Sequence, residues 1–198
     1  MRRSLSLLVV PFSRTLLMFI IIVPLCFAAQ AVELDGVQIP DTVQVGGKTL
    51  HLNGYGVRTY SILGVHIYTA SLYLERLSTD PNEIIQSLET KLLTIRFEHA
   101  VSADQSRGAW RSALENNCVA PCHLDPQDVE RFLSQVPAMT AGEYFYLLFR
   151  QGGATISANG QQIGIIPRRK FANAVLATFL GPNPASPTLR QELLKGHS

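Results

Sequence analysis

The stretch from His51 to Leu74 reads H-L-N-G-Y-G-V-R-T-Y-S-I-L-G-V-H-I-Y-T-A-S-L-Y-L and carries one permanent charge, Arg58. The runs 48–60 and 65–74 have strand composition, and S-I-L-G between them predicts an antiparallel hairpin. A guanidinium keeps its charge and is seldom buried without a partner. No acid lies within 16 residues of Arg58 on either side. Its partner is therefore distant in sequence, or is solvent, or is a ligand.

The hairpin predicts which side chains share a face with Arg58. Alternate strand residues point the same way, so Tyr60 joins Arg58, together with either Tyr68 or Thr69 of the returning strand. If this face lines a cavity, a guanidinium and a phenol lie near one end of an apolar space. Such a site suits a ligand with an apolar body and one acidic or carbonyl head. Otherwise Arg58 pairs with a distant acid or reaches water at the sheet rim.

The rest of the chain alternates groups of strands with helices. A lead-in strand or hairpin is expected at 32–45, further strands at 92–97, 143–150, 154–158 and 162–166, and helices at 78–88, 102–116, from 125, 171–179 and 186–194. Gly152-Gly153 and Asn159-Gly160 are hairpin signals between the last strands. Strands grouped in this way favour an α+β domain with a mostly antiparallel sheet.

Residues 1–31 have the pattern of a cleaved secretory signal peptide. They begin with Arg2 and Arg3, contain no acid and close on Ala29-Gln30-Ala31. A retained membrane anchor is the alternative, but the apolar run from 16 to 27 is shorter than the ~20 residues of a spanning helix. We therefore expect a periplasmic or secreted protein with no stable membrane span after cleavage.

Cleavage leaves one domain, residues 32–198. Lysines plus arginines fall from 17 to 14 while all 15 acids remain, so the net charge becomes about −1. No basic run or stripe is present, which argues against a nucleic-acid partner.

Two cysteines remain in this domain, Cys118 and Cys122, in N-N-C-V-A-P-C-H. A close pair in an exported protein favours a disulfide, which would pin a helix end. Cys-x-x-x-Cys-His is one residue longer than the haem-attachment motif, and two thiolates with one histidine fall short of a four-ligand metal set. We predict no cofactor and no metal.

Four segments carry a resemblance to a known family. L-N-G-Y-G-V-R, V-H-I-Y-T-A-S-L-Y-L, A-N-G-Q-Q-I-G-I-I and F-A-N-A-V-L-A-T-F-L-G-P occur in this order. They resemble the chalcone isomerase-like family, specifically its exported bacterial branch, over roughly residues 36 to 194. The resemblance implies an open-faced β-sandwich, in which a large antiparallel sheet packs on a layer of helices.

The resemblance also implies roles for five residues. Arg58 falls on the arginine that holds the lipid carboxylate in related plant fatty-acid-binding proteins, and Tyr68 falls on the tyrosine beside it. Thr69 matches the catalytic threonine of the plant isomerase only with a one-residue shift. Thr178 matches a threonine that orients the isomerase's substrate, and Asn117 loosely resembles an isomerase asparagine.

The departures from the isomerase concern catalysis. The helix after strand 92–97 reads S-A-D-Q-S-R-G-A-W and lacks the isomerase's tyrosine, and its active-site lysine has no convincing match. We expect a non-catalytic binding protein for a fatty acid or similar amphiphilic carboxylate, with the head held by Arg58 and Tyr68. One alternative is an isomerase or lyase on a phenolic or enone substrate, oriented by Tyr68 and Thr178. Another is an interaction protein whose cavity has closed.

Overall fold

The computed structural model describes residues 31–34, 36–60, 64–118 and 121–196. Its strands are β1 (Ala31–Leu34), β2 (Val37–Pro40), β3 (Thr42–Val45), β4 (Lys48–Tyr60), β5 (Val65–Leu74), β6 (Lys91–Phe97), β7 (Tyr144–Arg150), β8 (Gly153–Ala158) and β9 (Gln161–Ile166). Its helices are α1 (Pro81–Gln86), α2 (Ala103–Asn117), α3 (Pro126–Ser134), α4 (Arg169–Leu180) and α5 (Pro187–Leu193).

Strands β3 to β9 form one seven-stranded antiparallel sheet in which chain order equals spatial order. Strands β1 and β2 form a separate hairpin. The predicted α+β class and large antiparallel sheet are confirmed. The predicted pair of strands matches the bounds of β4 and β5, whereas residues 61–63 of the predicted connection lie outside the described part of the chain.

The two faces of the sheet are covered differently. Alternate residues of β5 to β8 pack against the helices, and the main core is built from them, for example Leu72, Leu93 and Leu147, which are fully buried. On the other face the β1–β2 hairpin covers a smaller cluster that includes Leu50 and Tyr73. Because strand side chains alternate between faces, the helices and the small hairpin bury separate sets of residues.

The glycines of β4 allow the C-terminal helix to approach the backbone of the strand. A Cβ atom added to Gly54 would overlap Glu192 O and lie 2.6 Å from the carbonyl carbon of Leu193. A Cβ atom on Gly56 would lie 2.7 Å from Cβ of Glu192. The contact is fixed by buried Asn53, whose Nδ2 donates to Leu193 O at 2.9 Å. Helix α5 therefore packs directly against the β4 backbone.

The helix starts follow the capping signals, with two differences in length. Helix α2 begins after Ser102, which forms the predicted capping box with Gln105. Helix α1 is shorter than the predicted 78–88, because Asp80 is its N-cap. Ser78 lies outside the helix, where its backbone N–H donates to Asn53 Oδ1 at 2.9 Å. Helix α4 begins at Arg169, two residues earlier than predicted.

The predicted disulfide is present. Cys118 and Cys122 are bonded with their Cα atoms 5.0 Å apart. Cys118 is the C-cap of α2, so the bond lies at a helix end as expected.

The predicted signal peptide lies outside the described residues, except for its last residue. Ala31 is the first residue of β1 and pairs with Pro40. Cleavage therefore stays a prediction. In the described part of the chain, no helix has both the length and the apolar character needed to cross a membrane.

We predict that Gly54→Ala lowers the free energy of unfolding by about 1–3 kcal/mol, because the new methyl group overlaps the α5 backbone. Urea unfolding followed by circular dichroism measures the effect. Gly108→Ala in α2 is the matched control, since a Cβ atom there meets nothing within 4 Å and alanine is the better helix former. Equal midpoints for Gly54→Ala and the unmodified protein would contradict the packing described for α5.

Candidate functional site: an apolar cavity with one polar end

A cavity of about 460 Å³ lies between the sheet and α2. Its volume is within the roughly 300–1,000 Å³ range of small-molecule sites. Most of its lining is apolar. The apolar side chains that line it are Ile67, Ile95, Phe97, Ala100, Val101, Ala109, Trp110, Ala113, Val136, Met139, Phe145, Phe179 and Ala185. The space therefore suits an apolar ligand body.

The polar groups on the sheet side come from the hairpin that was predicted to carry them. Arg58 of β4 and Tyr68 of β5 are directly opposed across the strand pair, and both line the cavity. Tyr60 continues the same lining, as the alternation predicts. Tyr68, rather than Thr69, is the residue that joins Arg58 on this face. The structure thus places a guanidinium and a phenol together at one end of an apolar space.

Arg58 is half-buried and uses one of its donors within the protein. Its Nη1 donates a hydrogen bond to Ala185 O in the segment before α5. None of the ion pairs formed among the described residues includes Arg58. A guanidinium has five N–H donors, so the carbonyl of Ala185 leaves most of them available for another acceptor.

Tyr68 keeps its proton at physiological pH. Burial raises the pKa of Tyr68 to about 12, and the positive charge of Arg58 opposes the increase. The ring lies 5.8 Å from that of Phe97, centroid to centroid. A protonated phenol beside a guanidinium gives two donors to one acceptor, which is the chemistry that a carboxylate needs.

Thr178 supplies a further hydroxyl from α4. It lines the cavity with 3% of its surface exposed, and its Oγ1 donates to Val175 O at 2.7 Å. Because that bond uses the hydroxyl proton, the oxygen can act only as an acceptor toward a further group.

Helix α2 forms the wall of the cavity opposite the sheet, and this wall was not predicted from the sequence. The helix lines the cavity with polar Gln105 and with Ser106, Ala109, Trp110 and Ala113, which recur at the three- and four-residue spacing of one helix face. The three small side chains leave the volume open. Trp110 closes the wall, with its ring centroid 5.6 Å from that of Phe179. The feature of the sequence that could have indicated this wall is the set of small residues at helical spacing around Trp110, the only tryptophan of the chain.

Thr69 lies on the other face of the sheet, away from the cavity. It is directly opposed to Arg96 of β6, and its Oγ1 donates to Glu98 Oε1 at 3.4 Å. Arg96 also pairs with Glu98, at 2.6 Å. Adjacent residues of a strand point to opposite faces, so Thr69 points away from the cavity that Tyr68 lines. Thr69 therefore does not take the place of the isomerase threonine, which would need a shift of one residue. We therefore leave Thr69 out of the site.

Asn117 also lies outside the cavity lining, at the C-terminal end of α2. Its Nδ2 donates to Asn183 O at 2.7 Å, and its Oδ1 accepts from the Asn183 N–H at 3.2 Å. These two bonds anchor the segment that connects α4 to α5. That segment also carries Ala185, whose N–H donates to Thr178 O at 3.3 Å and whose carbonyl accepts from Arg58. Asn117 is therefore a residue that positions the acceptor of Arg58, and we do not place it against the ligand.

No group of three or more metal-ligating side chains occurs among the described residues.

We predict that Asn117→Ala lowers the free energy of unfolding by about 1–3 kcal/mol, because two backbone groups of Asn183 lose their partner. Thermal unfolding measures the change. Asn116→Ala is the matched control, since this exposed neighbour makes no side-chain hydrogen bond within the described part of the chain. If the two variants lose equal amounts of unfolding free energy, Asn117 does not anchor the segment between α4 and α5.

We predict that Tyr68 makes stability fall as the pH rises above 10. The unfolded chain releases this proton near pH 10, whereas the folded protein keeps it until about pH 12. Within this window the unfolded state binds fewer protons, so raising the pH favours unfolding. Urea unfolding from pH 8 to 11.5 should therefore show a steeper decline for the unmodified protein than for Tyr68→Phe. Parallel curves would contradict a buried phenol.

Comparison with known proteins agrees with the fold. A family model described as chalcone isomerase-like matches residues 31–195. No curated protein sequence matches significantly. A solved structure titled as a fatty-acid binding protein of Arabidopsis thaliana is similar with a TM-score of 0.69 and 14% identity, over 84% of this chain and 96% of that one. At this identity the likeness shows the fold alone. Since the family model spans most of the sequence, the resemblance is confirmed, and the chain belongs to the chalcone isomerase-like family.

Proposed function

We propose that the protein binds a fatty acid or a similar amphiphilic carboxylate in the cavity and releases it unchanged. The observation that carries the proposal is the pairing of Arg58 with the protonated phenol of Tyr68 at one end of an apolar space. We also propose that the protein acts in the periplasm or outside the cell, because of its predicted signal peptide.

The head group of such a ligand would lie between β4, β5 and the end of α4. A carboxylate accepts only, and it forms its strongest hydrogen bonds with charged donors. Arg58 provides the charge and Tyr68 the second donor. Thr178, with its proton directed to Val175 O, would not donate to this head group.

The tail would extend along the face of α2. Trp110 contacts a cluster of aromatic rings, with centroids 5.0 Å from Phe132 and 6.5 Å from Phe145. Each methylene group that leaves water for such surroundings contributes about 0.8 kcal/mol. The long apolar wall therefore supports a ligand whose affinity depends on chain length. The similar Arabidopsis structure is titled as a fatty-acid binding protein, which supports the same ligand class.

The isomerase alternative has weaker support from the cavity. Among the described residues that line it, none is histidine, lysine, aspartate or glutamate. With a pKa of about 12, Tyr68 is far from the near-neutral value that favours general acid–base catalysis. The alternative stays a prediction, and turnover of a panel of chalcones tests it. The interaction-protein alternative required a closed core beside Arg58, and the open cavity does not supply one.

We predict that Arg58→Met weakens fatty-acid binding by roughly 10- to 150-fold, since a hydrogen bond to a charged group contributes about 1.5–3 kcal/mol. Binding is measured by quenching of Trp110, the single tryptophan, with a brominated fatty acid. The fatty alcohol of the same chain length should bind Arg58→Met and the unmodified protein with affinities within about threefold of each other, because it lacks the charge that Arg58 recognises.

Arg150→Met is the control for loss of a surface charge, because Arg150 is exposed and does not line the cavity. It should bind both ligands normally. Circular dichroism of Arg58→Met checks the fold, since Arg58 also donates to Ala185 O. If a folded Arg58→Met protein binds the acid as tightly as the unmodified protein does, Arg58 is not the head-group residue.

A further inference from the structure

An apolar surface adjoins the end of the cavity that carries Arg58. We call it the rim patch and define it as Tyr60, Val65, Ile67 and Ala100. Tyr60 is 68% exposed and Val65 is 37% exposed. Three of the four residues also line the cavity; Val65 alone does not.

The rim patch continues the face of the sheet that forms the site. Tyr60 and Val65 are the last opposed pair of β4 and β5, so their side chains share a face. Arg58 and Tyr68 are opposed on the same two strands and line the cavity that Tyr60 lines. A register shift separates the two pairs, between Arg58 and Thr59, and the cavity lining continues across it from Arg58 and Tyr68 to Tyr60 at the exposed end of β4.

The charges near the rim patch would not repel an anionic surface. Glu98, two residues before Ala100, has both carboxylate oxygens bonded to Arg96 Nη1, at 2.6 and 2.7 Å. Arg58 is the cation of the adjoining site, and the described ion pairs do not neutralise it. Glu98 is therefore paired, and Arg58 leaves a positive charge beside the apolar edge.

The size of the rim patch distinguishes between partners. A stable protein interface needs roughly 20–30 residues on each side, far more than four. Tyrosine beside aliphatic residues is instead the composition of side chains that lie at a membrane–water interface. Exposed Leu77 and Leu88 do not line the cavity and are ordinary isolated surface residues.

We propose that the rim patch docks transiently on the surface of a lipid bilayer, so that the amphiphile passes between membrane and cavity without crossing bulk water. This inference rests on the proposed function, since it names the source from which the same site is loaded. Three aliphatic side chains and one phenol give weak, reversible binding, which suits a carrier that must leave the membrane again.

The test measures transfer of a brominated fatty acid from vesicles of phosphatidylcholine and phosphatidylglycerol to the protein, followed by quenching of Trp110. Docking predicts a transfer rate that increases with vesicle concentration. Val65→Asp should lower that rate roughly tenfold, because it removes an apolar contact with the bilayer and adds a charge. It should leave the affinity measured without vesicles within about twofold, since Val65 does not line the cavity.

Ile165→Asp is the matched control. Ile165 is 51% exposed on β9, at the other edge of the sheet, and does not line the cavity. Both variants carry the same N-terminal segment, so any membrane affinity of that segment cancels. Ile165→Asp should transfer the ligand at the rate of the unmodified protein.

Three outcomes are decisive. Selective loss of vesicle-dependent transfer in Val65→Asp supports docking. A rate that is independent of vesicle concentration, or equal loss in the two variants, overturns docking while leaving fatty-acid binding intact. If Trp110 is not quenched even without vesicles, the proposed function fails. Flotation of the ligand-free protein with vesicles then tests docking alone. Flotation that is lost only in Val65→Asp supports docking, and equal flotation of both variants overturns it.

Discussion

The contact between α5 and the bare backbone of β4 is the constraint on which the rest of the structure depends. A side chain at Gly54 would collide with the carbonyl groups of Glu192 and Leu193, so the helix lies against the strand only because glycine is there. Asn53 then bonds to the end of α5 and to Ser78 before α1. The same strand carries Arg58, four residues after Gly54. One strand therefore both receives the C-terminal helix and supplies the charge of the site.

The segment between α4 and α5 connects this contact to the cavity. Asn117 anchors it at Asn183, and Arg58 holds it at Ala185, so it is attached both to α2 and to β4. Cys118, the residue after Asn117, is fixed by the disulfide to Cys122. These bonds fix the C-terminal end of α2, the helix whose small residues line the cavity. In this account the guanidinium of Arg58 bonds to Ala185 O and, at the same time, to the carboxylate of the proposed ligand.

Much of the fold was predictable from local patterns. Alternation and turn residues gave the bounds of β4 and β5, and the hairpin signal at residues 159–160 corresponds to a turn in which Asn159 and Gly160 both have positive φ. The period of a strand placed either Tyr68 or Thr69 on the face of Arg58, and the family resemblance pointed to Tyr68. The family resemblance added the sheet-on-helices arrangement, which local patterns alone do not specify.

What the sequence did not reveal depends on contacts between distant residues. The acceptor of Arg58 is a backbone carbonyl 127 residues away, and a carbonyl has no sequence signature. Asn117 was expected near a ligand but bonds to a backbone 66 residues away. Thr69 follows Tyr68, and a difference of one position puts it on the opposite face. The small residues of α2 mark a cavity wall only once a sheet is known to lie opposite them.

The most direct test of this account is a crystal structure of the protein saturated with a fatty acid that carries bromine at the end of its tail. We expect the carboxylate within hydrogen-bonding distance of Arg58 and Tyr68, with Arg58 still bonded to Ala185 O. The anomalous signal of bromine should lie in the apolar part of the cavity beside Trp110. A carboxylate bound away from Arg58, or an empty cavity in the saturated protein, would contradict the account.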